Sequence, residues 1–383
     1  LTLPPGRDPL AFLGLGFSAN VPESENQQYQ QWNFSIQREA PGNGVVEVNY
    51  SGSKGTHLYF GTGDILGNRN KLDPMYFSQG RTALNRQAPN PFFGVITDPR
   101  SVLSLPTVQY NRLLRPYPQH SGGAGGYMAP PNIGNSNYHS LQLKYEKRFS
   151  HGLSMIAHYT VSKLLSDSDS ASSDVEWLGG ASGVQNWKDL RLEKSLAVFD
   201  VPQRAVLSFD YQLPVGRGRA IGRDMNRIAN GFVGGWEFSG IFTFMSGFPL
   251  IPGLSSATLW DSTQRPNLIG DPRRPGSVLD RLNGYLNPSA FSQPAADVYG
   301  TGPRTLSNYR APGIRNGDLT MMKNFAMAEG KSLQFRLEAY NFTNSVSFGA
   351  PNASFGSTSF GLISGYAGGR GARSVQVALK FYY

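Results

Sequence analysis

The stretch Ala372-Arg-Ser-Val-Gln-Val-Ala-Leu-Lys-Phe-Tyr-Tyr383 decides how the rest of the chain is read. Counted back from the end, Tyr383, Phe381, Leu379, Val377 and Val375 are all apolar or aromatic, and Tyr382, Lys380, Ala378, Gln376 and Ser374 stand between them. A period of two places one set on each face of a strand. A soluble strand also alternates. A strand that alternates throughout and closes on an aromatic has the pattern of a membrane-spanning wall, in which one face meets lipid and aromatics sit at the interface. The question is whether other segments repeat it.

They do. Gln30 to Glu39 sets Trp32, Phe34 and Ile36 against Asn33, Ser35 and Gln37, and Val45 to Ser53 carries Val46, Val48 and Tyr50 on one face. Pro41-Gly-Asn-Gly44 between them reads as a turn. That hairpin puts Ile36 opposite Val48 and Phe34 opposite Tyr50, so the apolar faces coincide. Asn137 to Phe149 sets Leu141, Leu143 and Tyr145 against Gln142, Lys144, Glu146 and Arg148; Ser150-His-Gly152 turns into Leu153, Met155, Ala157, Tyr159 and Val161. Gln203–Leu213, Gly235–Ser246, Arg315–Phe325 and Lys331–Asn341 repeat the design, with Leu207, Phe209, Trp236, Phe238, Phe242, Leu319, Leu333, Phe335 and Leu337 on the apolar side. The carboxylates of Glu146, Asp210, Glu237, Asp318 and Glu338 share the other side with Lys144, Arg148, Arg204, Arg336 and Lys380.

Composition agrees with this. No run of 18 apolar residues exists in the 383, which excludes a helical membrane protein. Mean hydropathy is negative, as in a barrel whose alternate residues alone face lipid. Gly 45 and Pro 26 together make about 19% of the chain against a usual value of about 12%, a surplus that signals turns and long loops. The net charge of +9 is spread along the chain rather than clustered, which argues against nucleic acid, and with Cys 0 there is no thiolate or disulfide chemistry. Connections alternate in length. The short ones are Ala40–Gly44, Ser150–Gly152, Val215–Gly234 and Ala326–Gly330; the long ones are Gly55–Ser136, Leu165–Phe199, Gly247–Ile314 and Asn344–Gly371. Short turns at one rim and long loops at the other are the asymmetry of an outer-membrane barrel, with the turns periplasmic and the loops extracellular.

Several segments resemble the β-barrel of TonB-dependent receptors of the Oar-like type, which carry a carboxypeptidase-regulatory-like N-terminal domain. They include Gln31-Trp-Asn-Phe-Ser-Ile-Gln-Arg38, Tyr50-Ser-Gly-Ser-Lys-Gly-Thr-His57, Asn137-Tyr-His-Ser-Leu-Gln-Leu-Lys144, Tyr159-Thr-Val-Ser-Lys163 and Phe199-Asp-Val-Pro-Gln-Arg204. Leu213-Pro-Val-Gly-Arg-Gly218, Ser246-Gly-Phe-Pro249, Asn287-Pro-Ser-Ala-Phe291 and Phe335-Arg-Leu-Glu-Ala-Tyr-Asn341 continue the likeness, which runs from about Gln28 to Tyr383. The resemblance implies an all-β, transmembrane, antiparallel up-and-down barrel of about 22 strands, with long extracellular loops. About 9 to 11 of those strands are expected here. On this reading residues 1–383 are a single C-terminal barrel segment, and the signal, the regulatory-like domain, the plug and the first strands lie elsewhere. It also implies a C-terminal assembly signal on Val375, Val377, Leu379, Phe381 and Tyr383. The implied partners are outer-membrane lipid, the barrel-assembly machinery, the TonB complex through the N-terminal region, and a ligand whose identity is open.

Other motifs are better explained without chemistry. Asp167-Ser-Asp-Ser-Ala-Ser-Ser-Asp174 has the composition of a calcium loop but lacks its sixth-position Gly and twelfth-position Glu. Gly61-Thr-Gly-Asp-Ile-Leu-Gly67 has neither the spacing nor the Gly-Lys-Ser of a phosphate loop, and Gly122-Gly-Ala-Gly-Gly126 reads as a loop tip. The histidines His57, His120, His139, His151 and His158 show no ligand spacing; His139 and His158 are expected on paired strands near the loop end. There is no Gly-x-Ser-x-Gly elbow. The inward carboxylates read as a charge ladder in a wet lumen rather than as catalytic pairs. Asn-x-Ser/Thr triplets at Asn33, Asn49 and Asn341 carry no weight in such a wall. Trp177, Trp187, Trp260 and Tyr285 in the loops are suited to stacking on sugars.

The leading expectation is therefore a non-enzymatic outer-membrane receptor, without metal or cofactor, that admits a large ligand such as a carbohydrate or siderophore. A non-transporting barrel for adhesion or secretion is the alternative, separated from the first by a plug and TonB box. A soluble β-rich carbohydrate enzyme stands third, and solubility without detergent would favour it.

Overall fold

Nine long strands form where the period-two segments lie. In the computed structural model they are β1 (Gln28–Ala40), β2 (Gly44–Tyr59), β3 (Asn132–Ser150), β4 (Leu153–Ser166), β5 (Gln203–Gln212), β6 (Trp236–Met245), β7 (Ile314–Ala326), β8 (Ser332–Tyr340) and β9 (Ser374–Tyr382). The structure describes residues 13–19, 25–59, 70–120, 126–128, 132–167, 184–260, 263–327, 330–369 and 371–383. The loop motifs 61–67, 122–125 and 168–174, and Trp177, lie outside the described residues.

Each strand pairs antiparallel with the next along the chain, and the short strand Ser195–Leu196 adds to the upper end of β4. The sheet is an up-and-down meander that is open between β1 and β9. The register carries the apolar set from strand to strand. Ile36 lies opposite Val48, Val48 opposite Leu143, Leu143 opposite Tyr159, and Tyr159 opposite Ala205. Further round, Tyr211, Phe238, Met321, Leu337 and Val377 form one row, and Trp236, Lys323, Phe335 and Leu379 the next. A one-residue slip in any pair would turn that strand's apolar side chains to the polar face, so the pattern specifies the register strongly.

The turns supply their own geometry. His151 and Gly152 both have positive φ, 53° and 79°, the requirement of a two-residue hairpin that follows the strand twist. Close packing on the apolar face uses glycine beneath aromatics. A Cβ on Gly52 would lie 2.5 Å from the Trp32 indole, and one on Gly240 would lie 2.7 Å from the Phe209 ring. Each ring therefore lies flat across the neighbouring strand, as in aromatic rescue of sheet glycines.

The sheet itself has no covered core: Phe34, Leu141, Val161, Val377 and Leu379 are all exposed. The buried clusters sit in the long connections. One holds Leu250, Tyr285, Leu286, Ala290, Phe291, Leu306, Tyr309 and Ile363, and a second holds Ile96, Leu103 and Val108. All the long connections leave from one rim of the sheet, so these clusters form a packed cap at that rim.

The connection between β5 and β6, expected as a short turn, contains the helix Arg227–Val233. Asn226 caps it by accepting from the Ala229 N–H at 2.7 Å. β2 continues past Ser53 to Tyr59 through a register shift between Gly55 and Leu58, where His57 takes a positive φ of 54°. Period-two reading stops at such a bulge because the alternation changes phase.

Candidate functional site

The candidate site is the polar face of the sheet together with the cap above it. On that face the charges compensate along single strands. Lys144 pairs with Glu146 at 2.9 Å, and Arg336 with Glu338 at 2.9 Å. Asp210 accepts from Ser239 at 2.5 Å, Asp318 from Asn316 at 3.0 Å and from the Asn341 N–H at 2.8 Å. These are neighbours on one strand or across one rung, as the ladder reading requires. No group of three or more His, Cys, Asp or Glu side chains gathers at metal-binding distance among the described residues.

His139 and His158 lie on paired strands, as expected, but on opposite faces. His158 lies opposite Lys144 on the polar side, and His139 lies opposite Gly52 on the apolar side. The reason is register: 139 and 158 fall on opposite parities of the β3–β4 pair. His139 instead joins an aromatic group, with its Nδ1 2.8 Å from the Tyr50 hydroxyl and its ring 6.2 Å from Trp32.

The cap is held by buried polar contacts between segments distant in sequence. Glu193 takes two hydrogen bonds from the Arg265 guanidinium, at 2.8 and 3.1 Å, and both side chains are buried. The Gln185 N–H donates to the same carboxylate at 3.1 Å, and the Gln185 side chain bonds the Arg265 N–H and Gly300. Arg304 donates to the carbonyls of Glu193 and Ser166 at 2.7 and 2.5 Å, which ties this knot to the upper end of β4. Arg310 pairs with Asp200 at 2.6 Å. The bidentate pair and the Gln185 N–H on the same carboxylate offset much of the desolvation that an isolated buried charge would suffer.

Tyr285 belongs to this packing, so it is not a free stacking surface for a sugar. Its ring stacks on Tyr309 at 4.9 Å, and its hydroxyl donates to the Arg310 carbonyl at 2.8 Å. Burial pushes the Tyr285 phenol up to about 12, with the neighbouring Tyr309 adding to the shift and the Arg281 guanidinium opposing it. Trp260 is covered by the Arg81 guanidinium, 4.8 Å from its ring, and Trp187 carries Lys188 at 5.4 Å. Of the four aromatics proposed for stacking, Trp187 and Trp260 therefore remain at the cap surface, each under a cation.

Two hollows lie where the cap meets the strands. One of about 780 Å³ is bordered by Tyr159, Arg204, Phe244, Arg315, Val278 and Phe348. Another of about 440 Å³ is bordered by Lys54, Asn137, Asp167, Arg191 and Lys194. Burial pushes the Asp167 carboxyl up, while hydrogen bonds from Asn135 oppose the shift. Glu193, Arg265, Arg304 and Gln185 were not legible as a group beforehand, since no local motif links Glu193 to Arg265, 72 positions away.

On the apolar side, Val375, Val377, Leu379 and Phe381 of β9 lie opposite Ala339, Leu337, Phe335 and Leu333. Tyr383 follows the strand, and its ring stacks on Phe381 at 6.1 Å.

Comparison with known proteins adds the family. The outer membrane beta barrel domain family matches residues 3–376. Among solved structures, the chain is similar to the ferric citrate transporter FecA in its unliganded form, at 10% identity and TM-score 0.36, covering 92% of this chain and 30% of that one. It is similar to P. aeruginosa FpvA bound to heterologous pyoverdines, at 10% identity and TM-score 0.37, covering 93% and 27%. It is similar also to the outer membrane transporter YddB from Escherichia coli, at 9% identity and TM-score 0.42, covering 97% and 35%. The chain spans about a third of the length of these structures. No curated protein matches it. With nearly its whole length matched, and with the apolar and polar faces separated as described, this chain belongs to the outer membrane beta barrel domain family and is a non-enzymatic β-barrel of the bacterial outer membrane.

Proposed function

We propose that this chain is the C-terminal segment of a large TonB-dependent receptor of the Oar-like type, which takes up a large ligand across the outer membrane. The observation that carries the proposal is the open sheet with a charged inner face. β1 and β9 each present an edge without a partner strand in this sheet, and in hydrocarbon an unpaired backbone group costs several kcal/mol. Further strands between β9 and β1 would remove both edges. Nine strands joined by others enclose a lumen wider than side chains can fill, and barrels of that class carry a plug. The charge ladder suits a wet interior, and the sequence resemblance supports the TonB-dependent assignment. Carbohydrate or a siderophore is the ligand class favoured by the partly exposed Trp187 and Trp260 and the cationic rim of Lys54, Arg191 and Lys194.

In the same proposal, the short connections face the periplasm, and Val375, Val377, Leu379, Phe381 and Tyr383 are what the barrel-assembly machinery recognises. The test is ligand accumulation by cells that express the full-length gene, with TonB intact and with TonB deleted. Loss of accumulation without TonB is expected. Surface binding that persists unchanged without TonB, with no accumulation in either strain, would establish the non-transporting barrel instead.

A further inference from the structure

The connection between β5 and β6 differs from the other short turns, because it folds into a small body of its own on the apolar side of the wall. Two carbonyls of its helix accept hydrogen bonds from side chains of that side. The Trp236 indole N–H donates to Phe232 at 2.8 Å, and the Lys323 ammonium donates to Asn230 at 3.4 Å. Trp236 and Lys323 are partners across β6 and β7 in the row that also holds Phe335 and Leu379, so the helix is parked against the lipid-facing surface at the short-turn rim. The Asn230 side chain accepts from the Arg217 N–H at 2.7 Å and so joins the two halves of the connection. This is a fixed shape rather than a slack loop.

Its surface is amphipathic. Ile228 and Phe232, one helical turn apart on one face, are 77% and 76% exposed. Ile221 and Val233 of the same connection are exposed as well. The same connection carries Arg217, Arg219, Arg223 and Arg227, all exposed, with Asp224 as the one carboxylate of the segment. None of these four guanidiniums is in an ion pair among the described residues. Apolar side chains flanked by unpaired arginines, at the edge of a lipid-facing wall, match the boundary between acyl chains and negatively charged headgroups.

We propose that residues 214–235 form a binding site for anionic phospholipid at the periplasmic leaflet, in which Ile228 and Phe232 enter the acyl layer and the four arginines hold the phosphate headgroup. The inference rests on the proposed orientation, with short turns periplasmic. Two properties of the molecule select this occupant. The patch is continuous with the wall that already faces lipid, and its excess positive charge complements an anionic headgroup.

The test uses the full-length protein purified in detergent and loaded with equal phosphatidylglycerol and phosphatidylethanolamine. Native mass spectrometry then counts the lipids retained. Preferential retention of phosphatidylglycerol is expected, and R217Q/R219Q/R223Q/R227Q should abolish the preference. An exposed basic side chain near an anionic surface contributes about 1 kcal/mol, so each arginine removed should weaken retention about fivefold. R86Q/R100Q/R273Q/R274Q, which removes four exposed cap arginines, should leave the preference intact and so controls for net charge. Equal retention of the two lipids by the native protein, or an undiminished preference in the quadruple variant, overturns the site. The orientation has its own readout. The chain has Cys 0, so R219C is the one cysteine of these 383 residues; position 219 should resist an impermeant maleimide on intact cells. Labelling there, with phosphatidylglycerol preference retained by the purified protein, would overturn the periplasmic placement alone and direct the site to the phosphates of the outer leaflet.

Discussion

Leu337 and Leu286 are the same residue in two different solvents. Leu337 stands on the wall with Met321 and Val377 beside it and is partly exposed. Leu286 is sealed among Tyr285, Ala290, Phe291 and Leu306 in the cap. The wall turns its apolar residues out because lipid replaces a protein core, so it needs only the right parity along each strand. The cap stands in water and must bury its own apolar surface. Its charges follow the same division. Lys144 and Glu146 are half-buried neighbours on one strand, whereas Glu193 and Arg265 are fully buried and come from connections far apart in sequence. A half-exposed pair contributes little, and a buried one is costly to break. The wall is thus specified by local pattern and the cap by long-range contacts.

The largest effect should come from the wall's last strand. Deleting Phe381–Tyr383 removes the rungs Leu333–Phe381 and Ser332–Tyr382 and leaves β8 partly unpaired. Several kcal/mol for each unsatisfied backbone group in hydrocarbon outweighs a domain stability of about 5–15 kcal/mol. The truncated full-length protein is expected to be degraded without insertion, while Tyr383→Phe inserts normally. Fractionation of cells expressing each variant checks this, and normal outer-membrane levels of the truncation would refute the assembly role of β9.

Next comes a change confined to the cap. Glu193→Ala strands the Arg265 guanidinium in a buried site, a loss of about 3–5 kcal/mol. The cap should become sensitive to protease on intact cells while the barrel keeps its resistance to unfolding in detergent. If barrel and cap fail together, the separation between them does not hold.

Within one strand, face decides the outcome. Leu337→Arg on the lipid side should reduce folding into vesicles by about 2–4 kcal/mol. Gln334→Arg on the polar side of the same strand should change it little. Equal penalties for the two would contradict the assignment of faces.

Alkaline pH should act on the cap before the wall. Tyr285 and Tyr299 are both pushed up to about 12 by burial, from an ordinary value of 10.0. Between those values the unfolded cap releases the protons that the folded cap retains. Their contribution is complete below pH 10 and is lost as pH rises towards 12. Tyrosinate absorbance should show a late-titrating class, and cap proteolysis should accelerate over the same interval. An early, single titration would place both phenols in water.

The smallest effect is expected at Arg100→Gln. Arg100 holds the Asp98 carboxyl down to about 2 through a fork of hydrogen bonds, yet the pair is open to water. Asp98 therefore stays ionised until the pH falls towards 2, and removing its partner should not shift the thermal transition of the cap measurably.

The sequence by itself determined the wall. Alternation located all nine long strands to within a few residues at most ends, and the turns Pro41–Gly44 and Ser150–Gly152 set the first hairpins. The pairing of Ile36 with Val48 followed because a hairpin register is local, set by the turn and the apolar parity. Alternation missed the far end of β2, where the bulge near His57 changes phase. The tertiary structure alone decided three things. It buried Tyr285 rather than offering it to a ligand, because the partner Tyr309 and the carbonyl of Arg310 come from a segment more than twenty residues away. It put His139 and His158 on opposite faces, because a cross-strand register fixes parity that each strand alone leaves open. And it folded residues 214–235 back onto the lipid side, because Trp236 and Lys323 reach the helix carbonyls only when β6 and β7 are paired. Local periodicity carries information over a few residues, and each of these outcomes depends on groups that only the folded chain brings together.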